Sequence, residues 1–468
     1  MKQKKINRIM IAAPSSGCGK TTITCGLLQA LVNRRMQAVS FKCGPDYIDP
    51  MFHRSVIGVP TGNLDTFFTE YNHMRYLFAT ASKQAEIAIL EGAMGYYDGQ
   101  TVTSTDASSY DIAKQLQTPV ILVVNGRGAS QSIAALIQGF LQYRTPSMIL
   151  GIILNQVSAV IYPQLKEKIE QELQIMVLGY LPVHKSMELQ SRHLGLVMPE
   201  ELLELQKQLQ EIAAKMEETI DISKIIRIAN EAPELTYEEP EYLQNVTKQK
   251  VRIAVAKDPA FCFYYQESMQ LFEKMGVTLV PFSPLKDAAL PQDVQGLLLG
   301  GGYPELHAKS LANNLSMKKS IKKALLSDMP CIAECGGFLY LQETLADDKG
   351  NHYPMVGFLN GEAQRAVKRP GFGYVNVTVR EESVFGAPGV LIPAHEFHYW
   401  ESSDPGIQAV AVKPDGVRKW DCTRIQNKTI AGFPHFYLEG NPQAAASFVQ
   451  HCVKYGNAQK NSSCDHIE

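Results

Sequence analysis

Net charge is almost absent from this chain: 45 Lys and Arg stand against 47 Asp and Glu, a formal balance of −2. A general nucleic-acid binder needs a basic excess along its groove, so that class is set aside. No apolar run approaches the ~20 residues needed to span a bilayer. Ile9 to Ala13 is too short for a signal-peptide core, and no membrane role is expected. Nine cysteines are scattered with no Cys-x-x-Cys pair, and the four-residue spacing of Cys331 and Cys335 is poor for a metal. That usage reads as a reducing cytoplasm. Internal repeats and low-complexity tracts are lacking, and the Lys2-Lys4-Lys5 cluster reads as a solvated amino terminus.

What is present is size and alternation. At 468 residues the chain exceeds what one hydrophobic core supports, so two or three domains are expected. Hydrophobic content of 45% and charged content of 20% are those of a globular protein. Short apolar runs at 6–13, 37–42, 87–90, 120–124 and 149–154 read as strands, with helices over 20–33 and 131–143 between them. Such β-then-α order predicts an α/β, doubly wound parallel sheet, with functional loops at the carboxyl ends of its strands. A charged amphipathic helix over 200–220 is followed by a polar, proline-punctuated stretch over 231–250. The domain boundary is placed there, giving domains 1–245 and 246–456 and a polar tail 457–468 expected to be disordered. The second half restarts the pattern, with strands at 251–256, 277–281, 295–299 and 330–333 and a helix at 264–275. Late strands near 375–379, 408–412 and 429–432 predict a mixed sheet.

Ala13-Pro14-Ser15-Ser16-Gly17-Cys18-Gly19-Lys20-Thr21-Thr22 lies between a strand and a helix. This is a phosphate loop: backbone N–H groups at a helix start cradle anionic oxygens. Gly17 and Gly19 let the backbone approach, Lys20 reaches the β/γ phosphates, Thr21 sits on magnesium, and Thr22 completes the turn. Pro14 stands where the first glycine of the usual pattern would be. A simple helix-capping turn is the competing reading, and the strand–loop–helix context outweighs it. Magnesium needs hard oxygen ligands. Two acidic loops at strand ends, 42–50 and 90–99, offer them, although acids at such places are also ordinary caps.

A second site is expected in the other half. Cys335 follows strand residues and precedes Gly336-Gly337, a sharp strand-to-helix turn that exposes sulfur and favours thiolate through the helix dipole. A lone cysteine is more often a buried hydrophobe, and the flanking glycines reverse that reading. Gly301 and Gly302, after the 295–299 strand, are the candidate oxyanion donors. His435 is the candidate base, ahead of His395 and His398. No Glu lies two residues after His435, and Glu439 is near but is not chosen, so the orienting acid stays open.

Together these motifs resemble the cobyrinic acid a,c-diamide synthase family over nearly the whole chain. Residues 41–50 (Phe-Lys-Cys-Gly-Pro-Asp-Tyr-Ile-Asp-Pro) and 91–99 (Glu-Gly-Ala-Met-Gly-Tyr-Tyr-Asp-Gly) look like its signatures, and 300–305, 333–337 and 395–399 fit its glutaminase half. The resemblance implies a dethiobiotin-synthetase-like domain joined to a class I, triad-type glutamine amidotransferase domain. It implies that Thr21, Asp46 and Glu91 hold magnesium, that Tyr47, Asp49 and Asp98 line the substrate side, and that Asn155 and Leu181-Pro182 lie near adenine. Asn125 stands where the family usually has Asp and is left out of the site. The implied activity is amidation of the a and c acetates of cobyrinic acid, a tetrapyrrole, with ATP and L-glutamine as co-substrates. Ammonia would pass between the domains along a shielded path. Hydrogenobyrinic acid and nickel sirohydrochlorin are alternative substrates, a ParA-like switch with an inactive glutaminase half is the rival of another class, and a homodimer is left open.

Overall fold

The computed structural model describes residues 1–183, 199–244, 250–367 and 372–464. The chain divides into two compact units, residues 1–240 and 241–468. The expected boundary at 245 lies outside the described residues.

In the first unit, seven parallel strands form one sheet in the order Thr61–Leu64, Ala38–Cys43, Ile87–Glu91, Arg8–Ala12, Val120–Asn125, Ile149–Asn155, Met176–Leu181. Four of these strands, including the central Arg8–Ala12 and Ile87–Glu91, are buried along their whole length, as a sheet covered on both faces requires. Alternate residues serve the two faces. Ile9, Ile11, Ile87 and Ile89 pack with helix Lys20–Asn33 and with Ile212 and Met216 of helix Pro199–Thr219. Met10, Ala88 and Leu90 pack on the opposite side with Phe78, Ile112 and Ile137. Gly26 marks where the two helices touch, because a Cβ there would lie 2.4 Å from Met216 Sδ and 2.7 Å from Ile212 Cγ2.

The amino terminus is not merely solvated. Lys2–Lys4 pairs antiparallel with Leu235–Tyr237, and Lys4 Nζ donates to the Ala79 carbonyl. The terminus thereby closes onto the last strand of its own unit.

The second unit has a six-stranded sheet ordered Val277–Phe282, Val251–Ala256, Gly296–Leu299, Cys331–Glu334, Thr429–Gly432, Arg424–Gln426, parallel except at the last strand. The late strands do not form one mixed sheet. Only Thr429–Gly432 joins the parallel core, while Phe372–Val379, Leu391–Phe397, Ala409–Val412, Lys419–Cys422 and His435–Phe436 form a separate antiparallel sheet. That sheet packs Val375, Val377, Ile392 and Ala411 against Ile253, Ile332 and Phe448. The tail also differs from expectation: helix Pro442–Cys464 carries through residues 457–464.

Candidate functional site

Strand Arg8–Ala12 runs into the phosphate loop, and helix Lys20–Asn33 starts directly after it. Gly17 and Gly19 have φ of 79° and 98°, left-handed values that a side chain would strain. Gly19 is doubly constrained, since a Cβ there would sit 2.1 Å from Asn155 Nδ2. Asn155 braces the loop, donating to the Cys18 carbonyl at 2.9 Å, so its place is beside the loop backbone. Lys20 Nζ donates to the Ser15 and Met94 carbonyls, at 3.0 and 2.5 Å. Burial and the nearby Lys42 lower the Lys20 pKa, against the opposing pull of Glu91. Thr22 is half-buried in the first helical turn.

Thr21 Oγ1 donates to Glu91 Oε1 at 2.7 Å, joining the loop to the end of the adjacent strand. Around this pair lies a network that reading in sequence did not single out. Lys42 Nζ donates to Asp49 Oδ2 at 2.5 Å and to Glu91 Oε1 at 2.8 Å, and stands 4.0 Å from Asp46 Oδ2. Burial opposes its charge, yet Asp49, Glu91 and Asp46 raise its pKa well above the ordinary lysine value. Asp46 also caps the following turn, accepting from the N–H groups of Ile48 and Asp49. Below Glu91, His53 Nε2 faces Oε2 at 3.5 Å while its Nδ1 meets Ser40 Oγ at 3.0 Å. Burial pushes the His53 pKa down to about 4, so the ring is neutral. The signal for Lys42 was a charged residue inside the apolar strand Ala38–Cys43, a placement that demands a partner.

Tyr47 leads into helix Ile48–Phe52 on the same loop. Asp98 acts on the Lys20 charge as Glu91 does. Its Oδ2 accepts from Gly95 N at 2.8 Å and shapes its own loop, which also hangs on Tyr96 N donating to the Ala13 carbonyl. Asn125 likewise serves its own turn, accepting from Arg127 N.

In the second unit, strand Cys331–Glu334 delivers Cys335 at φ 47° and ψ −102°, a strained non-glycine conformation at a strand-to-helix turn. Cys335 N donates to Gly432 O at 2.7 Å, which ties the turn to the neighbouring strand end. A Cβ on Gly337 would meet Leu299 O at 2.0 Å, and one on Gly336 would lie 3.2 Å from Gly302 N. The loop over 300–302 therefore packs against the turn. A Cβ on Gly301 would sit 2.4 Å from His435 Cε1, so the imidazole lies over this loop as well. Tyr264 steadies it, its OH accepting from Gly300 N at 2.8 Å and donating to Ala256 O at 2.6 Å. Cys335, Gly301, Gly302 and His435 thus come to one place.

The resting sulfur is not a thiolate. Burial, then Glu305, raises the Cys335 pKa, and the helix that follows it spans only Gly336–Leu341. Burial, reinforced by His395 and His398, pushes His435 down to about 3. A neutral imidazole is free to accept a proton. His395 pairs with His435 across the strands and is likewise pushed down by burial to about 3. His398 stacks on Phe433 with ring centroids 3.8 Å apart, and its Nδ1 contacts Trp400 O at 2.6 Å. Glu439 turns elsewhere, towards Tyr242 OH at 2.5 Å and Lys274 Nζ at 3.6 Å. The acid facing His435 is Glu334, whose Oε2 lies 3.9 Å from Nδ1.

Comparisons with known proteins agree with this division. Residues 9–197 match the CobQ/CobB/MinD/ParA nucleotide binding domain, and residues 252–443 match the CobB/CobQ-like glutamine amidotransferase domain. A cobyrinate a,c-diamide synthase of Caldanaerobacter subterraneus subsp. tengcongensis is 39% identical over 96% of this chain and 98% of its own. Those of Priestia megaterium and Salmonella typhimurium are 36% and 37% identical, over 95% and 93% of this chain and 97% and 95% of theirs. With a nucleotide-binding unit, an amidotransferase unit and end-to-end likeness to such enzymes, the chain belongs to the cobyrinate a,c-diamide synthase family.

Proposed function

We propose that this enzyme amidates the a and c acetate carboxylates of cobyrinic acid, using ATP to activate each acid and glutamine to supply nitrogen. The observation that carries the reading is 39% identity over 96% of this chain to a cobyrinate a,c-diamide synthase. It is supported by the Thr21–Glu91 hydrogen bond beside Lys20 in one unit and by His435 lying over the Gly301 loop that packs against the turn at Cys335 in the other. A carboxylate is a poor electrophile, so phosphoryl transfer from ATP turns it into an acyl phosphate with a good leaving group. Lys20, at the helix start, neutralises phosphate charge in place of the carbonyls it now contacts. In the other unit Cys335 forms a thioester with the glutamine side chain and releases ammonia, with His435 carrying the proton.

The residues present fit magnesium. Glu91 is wholly buried and, among the described residues, its Oε2 accepts no hydrogen bond, with His53 Nε2 at 3.5 Å, while Thr21 Oγ1 stands against the other oxygen. Among the described residues no three His, Cys, Asp or Glu side chains form a ready cage, so phosphate oxygens would have to supply part of the shell. Thr21, Glu91 and Asp46 would hold it, and when bound it would neutralise charge on the phosphates. Tyr47, Asp49 and Asp98 are assigned to the substrate side.

The test is mass spectrometry of products after incubation with ATP, glutamine and one macrocycle at a time. Diamidation of cobyrinic acid is expected. Diamidation only of hydrogenobyrinic acid or of nickel sirohydrochlorin would reassign the substrate, and no glutamine turnover with any of them would refute the reading.

A further inference from the structure

We propose that Glu334 is the acid that orients His435, supplied by the nucleophile's own strand. Two contacts tie this carboxylate to the short strand His435–Phe436. Oε1 accepts the N–H of Phe436 at 3.0 Å, and Oε2 faces His435 Nδ1 at 3.9 Å. One oxygen therefore holds the backbone beside the base while the other is aimed at the ring. The position two residues past His435, where Glu was sought, is Tyr437, and Glu439 is engaged with Tyr242 and Lys274. Because Glu334 directly precedes Cys335, one strand end fixes both the sulfur and the acid, and the base is set between elements that cannot move independently.

The distance is longer than a hydrogen bond, and resting active sites commonly tighten such contacts only when charge develops. Charge develops here in a definite order. As the bond between Cys335 sulfur and the amide carbon forms, the thiol proton passes to His435. As the carbon–nitrogen bond breaks, that proton passes to the departing nitrogen and ammonia leaves. Glu334 gains and loses nothing overall; its anion offsets the transient imidazolium. Glu334 also lines, with Tyr264, Ser268, Ile332, Phe436 and Leu438, a small cavity that has room for about one water. Burial raises Glu334 to about 8 while His435 is neutral, so the carboxyl releases its proton to solvent as the imidazolium forms alongside and takes it back as the imidazolium discharges.

This inference rests on the reading of Cys335 and His435 as a glutaminase pair, and glutamine hydrolysis by the unaltered enzyme tests that reading by itself. Given that activity, Glu334→Gln keeps the Phe436 contact and removes the charge. Its kcat for glutamine hydrolysis should fall on the order of 100-fold, with KM within about twofold, and ammonia-dependent amidation should persist. Glu334→Asp, which restores an ionisable carboxyl, should recover part of the rate. Unchanged kcat in Glu334→Gln, or no recovery in Glu334→Asp, overturns the proposal. Should the Gln variant fail to fold, the unaltered enzyme alkylated at Cys335 by a diazo-ketone glutamine analogue decides by proton NMR. A strongly deshielded imidazole N–H is expected, and its absence overturns the proposal.

Discussion

Lys42 is the residue on which the nucleotide-binding unit most visibly depends. It is a buried cation serving Asp49 and Glu91 directly and Asp46 at the margin of contact. Removing one member of such a buried set leaves uncompensated charge, at a cost of about 3–5 kcal/mol. Lys42→Met should therefore lower the stability of the first unit by that amount in urea unfolding, and should abolish amidation from glutamine and ammonia alike. Gly19→Ala is a purely geometric counterpart. A methyl group cannot share space with Asn155 Nδ2 at 2.1 Å, so ATP affinity, measured by calorimetry, should drop at least tenfold, an effect of about 1.4 kcal/mol. Wild-type affinity in that variant would mean that the loop reshapes freely.

At the scale of elements, helix Lys20–Asn33 carries Lys20 and Thr21 and is held by helix Pro199–Thr219. Ile212→Ala opens space against Gly26 and should destabilise the unit by about 2–5 kcal/mol. If urea unfolding instead shows less than about half a kcal/mol, the two helices do not support each other as their packing indicates. The first helix and most strands of the two central sheets were legible as apolar or periodic runs, whereas the edge strands Thr61–Leu64, Met176–Leu181 and Arg424–Gln426 were not read. The ribbon formed by Lys2–Lys4 was not, since three polar residues become a strand only through Leu235–Tyr237, far along the chain. Of the antiparallel sheet around Leu391–Phe397 only Phe372–Val379 and Ala409–Val412 were read as strands, and nothing local says which neighbours they choose. The same limit applies to the sites. Phosphate-loop residues and Cys335 announce themselves through local glycine spacing. Lys42 with Glu91 and Glu334 with His435 are joined across 49 and about 100 residues, so their partnership exists only in the fold.

For the molecule as a whole, buried titratable groups set the stability of the second unit against pH. His395 and His435 have folded pKa values near 3 against an ordinary 6.5, so the unfolded chain takes up protons first as pH falls. Their contribution is full above about 6.5 and is lost on acidification. Glu334 at about 8 and Glu305 at about 7 act oppositely, since burial keeps their protons on in the folded state. Their contribution is full below about 4.5 and is lost as pH rises through 7 to 8. Between 4.5 and 6.5 the two pairs offset each other, and below 4.5 only the histidines still titrate. Hydrogen exchange across Leu391–Phe397 in the intact chain should show a plateau in that window, steep loss of protection below it and a gentler loss above 6.5. Protection rising steadily as pH falls towards 3 would contradict the assignment of neutral buried imidazoles. Among the described residues no helix is long and apolar enough to cross a membrane.

The central claim is that nitrogen is released at Cys335 in one unit and consumed in a reaction dependent on Lys20 in the other. It is tested most directly by following isotope-labelled nitrogen into the product of Cys335→Ala. With amide-labelled glutamine the variant should yield no labelled diamide, and with labelled ammonia it should yield a doubly labelled one. Labelled product from glutamine, or none from ammonia, would contradict the account.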